Sequence, residues 1–262
     1  MIFLKLGGSL ITDKARPETP RLDVLHRVAD EIAAARASQP GLQVLLGHGS
    51  GSYGHQVASR YGTHRGASSE EDWRGFAEVW RVANGLNRLV VDAMVKAGLP
   101  AVSFPPSASA IAQAGEIVEL ASEPLARALS AGLLPIVAGD VAFDRTLGSA
   151  IVSTERVFAR LAEALRPTHL LLAGVDAGVF ADYPANTRIF ETLHEADLRP
   201  STLAGSAATD VTGGMADKVR HAMAMARVLP GLEVRIFSGV EPGAVQAALS
   251  GRPIGTLVVP DG

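Results

Sequence analysis

The chain has 262 residues, 47% of them apolar, a formal net charge of -3 and no cysteine. That charge gives no global pull toward nucleic acid or an anionic membrane, so any anion site must be assembled locally. The missing cysteines exclude disulfides and thiolate metal centres, the N-terminus lacks a basic start or cleavage site, and no apolar run approaches the ~20 residues of a membrane span. A soluble, cytoplasmic protein is expected.

Taken in chain order, short apolar runs alternate with helix-period segments. Expected strands are Ile2–Leu6, Gln43–Gly47, Ala101–Phe104, Leu134–Ala138, His169–Ala173, Glu233–Phe237 and Thr256–Val259. Expected helices lie between them: Leu22–Ala35 with Leu25, Val28 and Ile32 on one face, Glu71–Ala97 with a break near Gly85, Glu123–Ser130, Thr154–Leu165, Met215–Val228 and Pro242–Leu249. Such alternation predicts a mostly parallel sheet covered by helices on both faces. Asp144–Ser149 is the expected join between two lobes of a single unit, and Ala181–Arg188 and Arg199–Ala208 read as surface excursions, a hairpin and a loop.

Three segments carry chemistry. Lys5 sits inside an apolar strand, where an ammonium is costly without an anionic partner, and Gly7, Gly8 and Ser9 follow it, with Lys14 shortly after. This reads as a phosphate cradle or as an ordinary Gly-Gly turn after a lysine that reaches solvent. The second segment, His48-Gly49-Ser50-Gly51-Ser52-Tyr53-Gly54-His55, has glycines and serines whose amides can wrap a phosphate, with His55 as a donor at the far edge. The third, Thr209 to Lys218, puts Gly213-Gly214 before a helix and Lys218 one turn inside it, an anion site or merely a capped helix with a surface lysine. Only four of the 24 basic residues are lysine, and Lys5, Lys14 and Lys218 are three of them.

The second segment also matches Gly-x-Gly-x-x-Gly, but Glu70, Glu71 and Asp72, at the distance where a dinucleotide fold needs an acid, precede a helical pattern and end no strand. His48 and His55 have no further ligand at metal-binding spacing, so no metal site is assigned and His48 is read as structural or merely exposed; His26, His64, His169, His194 and His221 form no constellation.

In this order and spacing the three segments resemble the amino acid kinase superfamily over essentially the whole chain, and the His48–His55 loop resembles its isopentenyl phosphate kinase branch. The resemblance implies a three-layer αβα sandwich with a mostly parallel central sheet. It further implies a homodimer, with the phosphoacceptor in the N-terminal half (about residues 1–145) and ATP mostly in the C-terminal half (about residues 146–262). Carried over by position, Lys5, Leu6, Gly7, Gly8, Ser9, Gly51, Asp176, Gly214 and Lys218 would contact ATP, with magnesium. Lys14 would stabilise the transferring phosphoryl group, and Ser50, Gly51, His55 and Thr154 would hold the acceptor, isopentenyl phosphate. Lys5, Lys14, His55 and Lys218 form the expected catalytic set, and Trp73, Phe76, Ala77, Trp80 and Ala83 offer a wall for the tail or plain core packing.

Two places depart from the family pattern: Ser153-Thr154-Glu155 stands for Ser-Gly-Asp, and Gly174-Val175-Asp176-Ala177-Gly178 for Thr-Asp-Val-Asp-Gly. They leave open a kinase for another small phosphate or phosphonate such as fosfomycin, and a non-catalytic nucleotide sensor; an NAD-dependent oxidoreductase is the third alternative.

Overall fold

A computed structural model describes residues 1–182, 184–198 and 214–260; of His55, Gln56 and Gly214 it describes the backbone alone. The core is an eight-stranded sheet formed by β1 (Ile2–Leu6), β2 (Val44–His48), β3 (Ala101–Ser103), β6 (Leu134–Ala138), β9 (His169–Gly174), β10 (Thr192–His194), β11 (Glu233–Ser238) and β12 (Thr256–Val259). Their order is β10-β12-β11-β9-β1-β2-β6-β3. All pairings are parallel except β11 with β12.

Period-two alternation divides the buried residues between the two faces of this sheet. Ile2, Leu4 and Leu6 pack with α2 (Leu22–Ser38), α4 (Glu70–Lys96) and α9 (Ala244–Leu249) on one face. Phe3 packs on the other face against Val157, Phe158 and Leu161 of α7 (Thr154–Leu165) and Val219 and Met223 of α8 (Gly214–Val228), where α6 (Glu123–Ser130) also contributes Leu125. The three-layer αβα sandwich is therefore present. Lys5 shares the Phe3 face by the same alternation, which aims its ammonium at α7.

Five expected elements occur with the expected ends: Ile2–Leu6, Leu134–Ala138, Thr256–Val259, Glu123–Ser130 and Thr154–Leu165. The long helix runs unbroken from Glu70 to Lys96, because Gly85 lies on its open surface and nothing there interrupts the ladder. Ala181–Arg188 is a closed excursion, with Ala181 N–H donating to the Arg188 carbonyl. Arg199–Ala208 and Thr209–Gly213 lie outside the described residues.

A second sheet was not anticipated. It has the order β5-β4-β7-β8, from β4 (Ala110–Gln113), β5 (Glu116–Leu120), β7 (Asp140–Asp144) and β8 (Gly148–Val152). Asp144–Ser149, expected as a lobe join, is the turn of the antiparallel β7–β8 hairpin. Asp144 builds this corner by accepting from the N–H groups of Thr146, Leu147, Ala114 and Gly115, which ties it to the β4–β5 turn. Those bonds outweigh the effect of burial, which alone would push the Asp144 carboxyl up, and hold it below its usual range. Three short helices also join the fold: α1 (Gly8–Ile11), α3 (His55–Tyr61) and α5 (Pro106–Ser109).

Candidate active site

Open α/β sheets bind ligands beyond the carboxyl ends of their strands, where neighbouring connections leave in opposite directions. Here β1 lies between β9 and β2, and the loops leaving β1, β2 and β6 meet in a cleft of about 380 Å³. Gly7, Gly8 and Ser9 line it from the β1 loop, Gly49, Ser50, Gly51 and Gly54 from the β2 loop, and Lys5, Lys14 and Lys218 bring three ammonium groups to it.

The glycines serve the loops' contact with one another. A Cβ on Gly8 would overlap the backbone nitrogen and Cα of Gly51, and one on Gly49 would crowd the Gly8 nitrogen. Gly51 has φ +54°, in the left-handed region that favours glycine. Thr12, fully buried, clasps the pair: its hydroxyl donates to the Gly8 carbonyl at 2.8 Å and accepts from Ser52 N–H at 2.9 Å. Sequence reasoning placed Thr12 in the first segment, just before Lys14, but gave it no role.

Lys5 has its anionic partner within the protein. It is only 8% exposed and is paired with Glu155, near the start of α7. Burial alone would raise the Glu155 carboxyl, but the adjacent Lys5 charge and hydrogen bond prevail and set it below its ordinary value. One of the two departures from the family pattern thus supplies the counter-ion for the strand lysine. Its neighbour Thr154 does not obstruct the cleft: 2% exposed, it donates from its hydroxyl to the His48 carbonyl at 2.6 Å, while its methyl occupies space that Gly47 leaves by having no side chain.

Asp176, in the second departure, lies after β9 and lines a small niche with Lys5, Gly7, Gly174 and Lys218. The Lys218 ammonium sits beside Gly174. Leu6 is fully buried in the α2–α4 core, so only its backbone can reach a ligand. Of the two readings for His48 the buried one holds: it is 1% exposed, with Nε2 3.1 Å from Asn87 Oδ1, and burial lowers its proton affinity. His55 opens α3 at the rim of the Gly54 turn.

The apolar wall differs from the expected one. Val79 and Ala83 line the cleft, with Ala58 of α3 and Ile151 and Val152 of β8. Phe76 and Trp80 do not, because the apolar arc of α4 is wider than the cleft. Its centre, Val82 and Leu86, is core, and its outer edge takes Trp73 and Phe76 onto Phe143 of β7. Trp80 is 44% exposed and donates from Nε1 to Ser107.

Four charged or titratable lining residues receive no role from the sequence: Asp140, noticed only within Gly139-Asp140-Val141 after the central strand, and Arg156, Asp217 and His221. Burial pushes the Asp140 carboxyl up, while N–H donors from Val141 and Ser107 oppose the shift. His221 had a usable signal, since it follows Lys218 by three residues on one helix.

The cleft thus joins a glycine floor with three ammonium groups to an apolar wall, which suits a ligand with an anionic head and a hydrocarbon body. Among the described residues no cluster of three acidic or histidine side chains could hold a metal ion, and no helix is long and apolar enough to cross a membrane.

Residues 1–238 match the amino acid kinase family. The chain is 35% identical to the isopentenyl phosphate kinase of Methanothermobacter thermautotrophicus over 97% of both chains. It is 30% identical to that of Methanocaldococcus jannaschii over 98% of both. An X-ray structure of an isopentenyl phosphate kinase superposes with a TM-score of 0.82 at 32% identity, covering 99% of this chain and 100% of the other.

Proposed function

The chain belongs to the amino acid kinase family, and we propose that it transfers the γ-phosphoryl group of ATP to isopentenyl phosphate, giving isopentenyl diphosphate. The observation that carries this reading is the continuity of the cleft, from Lys5, Lys14 and Lys218 over the two glycine loops to Val79, Ala83 and Ile151. A fosfomycin-type acceptor has no comparable hydrocarbon body to place against that wall.

The acceptor needs no general base. A phosphate monoester with a second pKa near ~6 is largely dianionic at neutral pH and nucleophilic as it stands. Repulsion between two anions is the obstacle, so catalysis comes from alignment and charge neutralisation. Lys14 stabilises the moving phosphoryl group, Lys5 and Lys218 hold the nucleotide phosphates, and Ser50, Gly51 and His55 hold the acceptor phosphate, with His55 as a hydrogen-bond donor. Gly214, at the start of α8, and Asp176 complete the nucleotide side. Magnesium would neutralise charge on the nucleotide, held by phosphate oxygens rather than by a carboxylate cage. The nucleotide lies mostly over the C-terminal half and the acceptor over the N-terminal half. A homodimer in the cytoplasm is part of the same proposal.

The test is a coupled ADP-release assay with MgATP and, in turn, isopentenyl phosphate, dimethylallyl phosphate and fosfomycin. Saturable turnover with the isoprenoid phosphates is expected, and His55→Ala should lose most acceptor affinity. Turnover on fosfomycin alone, or ATP binding with no turnover on any acceptor, would overturn the assignment.

A further inference from the structure

The proposed reaction needs two loops held in register. One carries Lys14, assigned to the moving phosphoryl group, and the other carries Ser50, Gly51 and His55, assigned to the acceptor phosphate. A misplacement of about 1 Å between such groups costs on the order of a hundredfold in rate.

Residues 14–18 are exposed, so hydrogen bonds more than packing set the place of the Lys14 loop. Its base is closed by the antiparallel bridge between Thr12 and Pro20 and by Asp13 N–H, which donates to the Thr19 carbonyl at 2.9 Å. Its tip is turned by the Asp13 side chain, whose Oδ1 accepts from Ala15 N–H at 2.9 Å and whose Oδ2 accepts from Arg16 Nε at 2.9 Å. These bonds give the loop its shape but do not fix its distance from the acceptor loop.

Ser52 fixes that distance. It follows Gly51 at the tip of the turn that Tyr53 N–H closes by donating to the Ser50 carbonyl at 2.8 Å. Its three polar groups all reach across to the Lys14 loop. Oγ accepts from Thr19 N–H at 3.1 Å, the carbonyl accepts from Glu18 N–H at 3.2 Å, and the Ser52 N–H donates to the Thr12 hydroxyl at 2.9 Å. Lys14 is thus held between an outgoing limb gripped at Thr12 and a returning limb gripped at Glu18 and Thr19. Glu18 takes φ +46°, in the left-handed region that residues with side chains avoid, and in that conformation two successive N–H groups meet one serine. Any residue at position 52 would supply the carbonyl and the N–H, whereas the Thr19 bond needs a short side chain ending in an acceptor.

We propose that Ser52 is a positioning residue: its hydroxyl oxygen anchors the Lys14 loop to the acceptor loop and so sets the Lys14 ammonium against the phosphoryl group in transfer. The inference rests on the kinase reading above and adds to it a residue to which the expected catalytic and binding sets give no role.

Two measurements on the full chain test it, and the first needs no substrate. Trypsin cleavage after Lys14, read by mass spectrometry, should run about fivefold faster in Ser52→Ala than in wild type, as loss of one hydrogen bond raises the open population of the loop. Cleavage elsewhere should be unchanged. The second is a kinetic cycle with MgATP and isopentenyl phosphate on wild type, Ser52→Ala, Lys14→Ala and the double variant, read as transfer of radiolabelled phosphate so that low rates are measured. Ser52→Ala should lower kcat about tenfold with the acceptor KM within about twofold of wild type. In the Lys14→Ala background the same change should cost less than about twofold, because its effect runs through Lys14. Equal cleavage after Lys14 in the two proteins would overturn the proposal, as would faster cleavage throughout the chain, the mark of a general loss of stability. A kcat loss of the same size in both backgrounds, or a loss carried by the acceptor KM, would overturn it as well. Wild type that transfers phosphate to no acceptor would reject the kinase reading and the inference with it, whatever the cleavage rates.

Discussion

Replacing Glu155 by glutamine keeps the shape of the side chain and removes the charge that faces the Lys5 ammonium. Breaking a buried pair from one side costs about 3–5 kcal/mol, because the remaining ion stays buried and unpaired. The two side chains here are 10% and 18% exposed, so solvent screens part of the loss and about 2–3 kcal/mol is expected at neutral pH. In a chain of this size that corresponds to roughly 5–10 °C in Tm. The pH dependence follows from the lowered Glu155 pKa. A carboxyl depressed by folding contributes its full stability above its unfolded value and loses it as pH falls through the folded one. Urea unfolding of wild type and Glu155→Gln should therefore show the full gap near pH 7 and converging curves in acid, where glutamic acid and glutamine are both neutral. Equal stability at pH 7, or a gap that persists unchanged in acid, would refute the reasoning.

Gly8→Ala should cost about 2–3 kcal/mol and roughly a hundredfold in kcat/KM, since its Cβ meets backbone that has no rotamer to yield, whereas Gly85→Ala, with nothing within 4 Å, should stabilise by about 0.5–1 kcal/mol. Thermal melts with steady-state rates separate the two. Asp144→Ala leaves four N–H donors in two turns without their acceptor and should cost about 2–4 kcal/mol, with limited proteolysis newly cutting near Ala114 or Thr146. Thr154→Val keeps the methyl over Gly47 but strands the His48 carbonyl, for about 1–2 kcal/mol in urea unfolding.

The main sheet was legible because its strands are buried on both faces and read as near-continuous apolar runs, as in Leu134–Ala138 and in Ile2–Leu6, interrupted there by Lys5 alone. The second sheet escaped because its strands carry a weaker signature: Glu116–Leu120 has charged residues at both Glu116 and Glu119, and Asp140–Asp144 begins and ends on an aspartate. What defines that sheet is the Asp144 side chain acting on two turns about 30 residues apart in sequence, a long-range event that no local pattern announces. At the site, the lysines and glycines stood out by rarity and spacing. Glu155 was noticed only as a departure, and its pairing with Lys5 depends on β1 and α7 meeting across 150 residues. Phe76 and Trp80 were expected on the tail wall because helical periodicity gives the width of an apolar arc, but not which part of it each neighbour covers.

The proposed reaction joins a second phosphate to a phosphate already carried by an apolar tail. Phosphorus NMR of a reaction containing MgATP and isopentenyl phosphate tests it directly, because it reports the bond that forms. The monoester resonance should give way to two coupled signals of a diphosphate in step with ADP; ADP accompanied by free orthophosphate, with the monoester unchanged, would rule out transfer to the monoester.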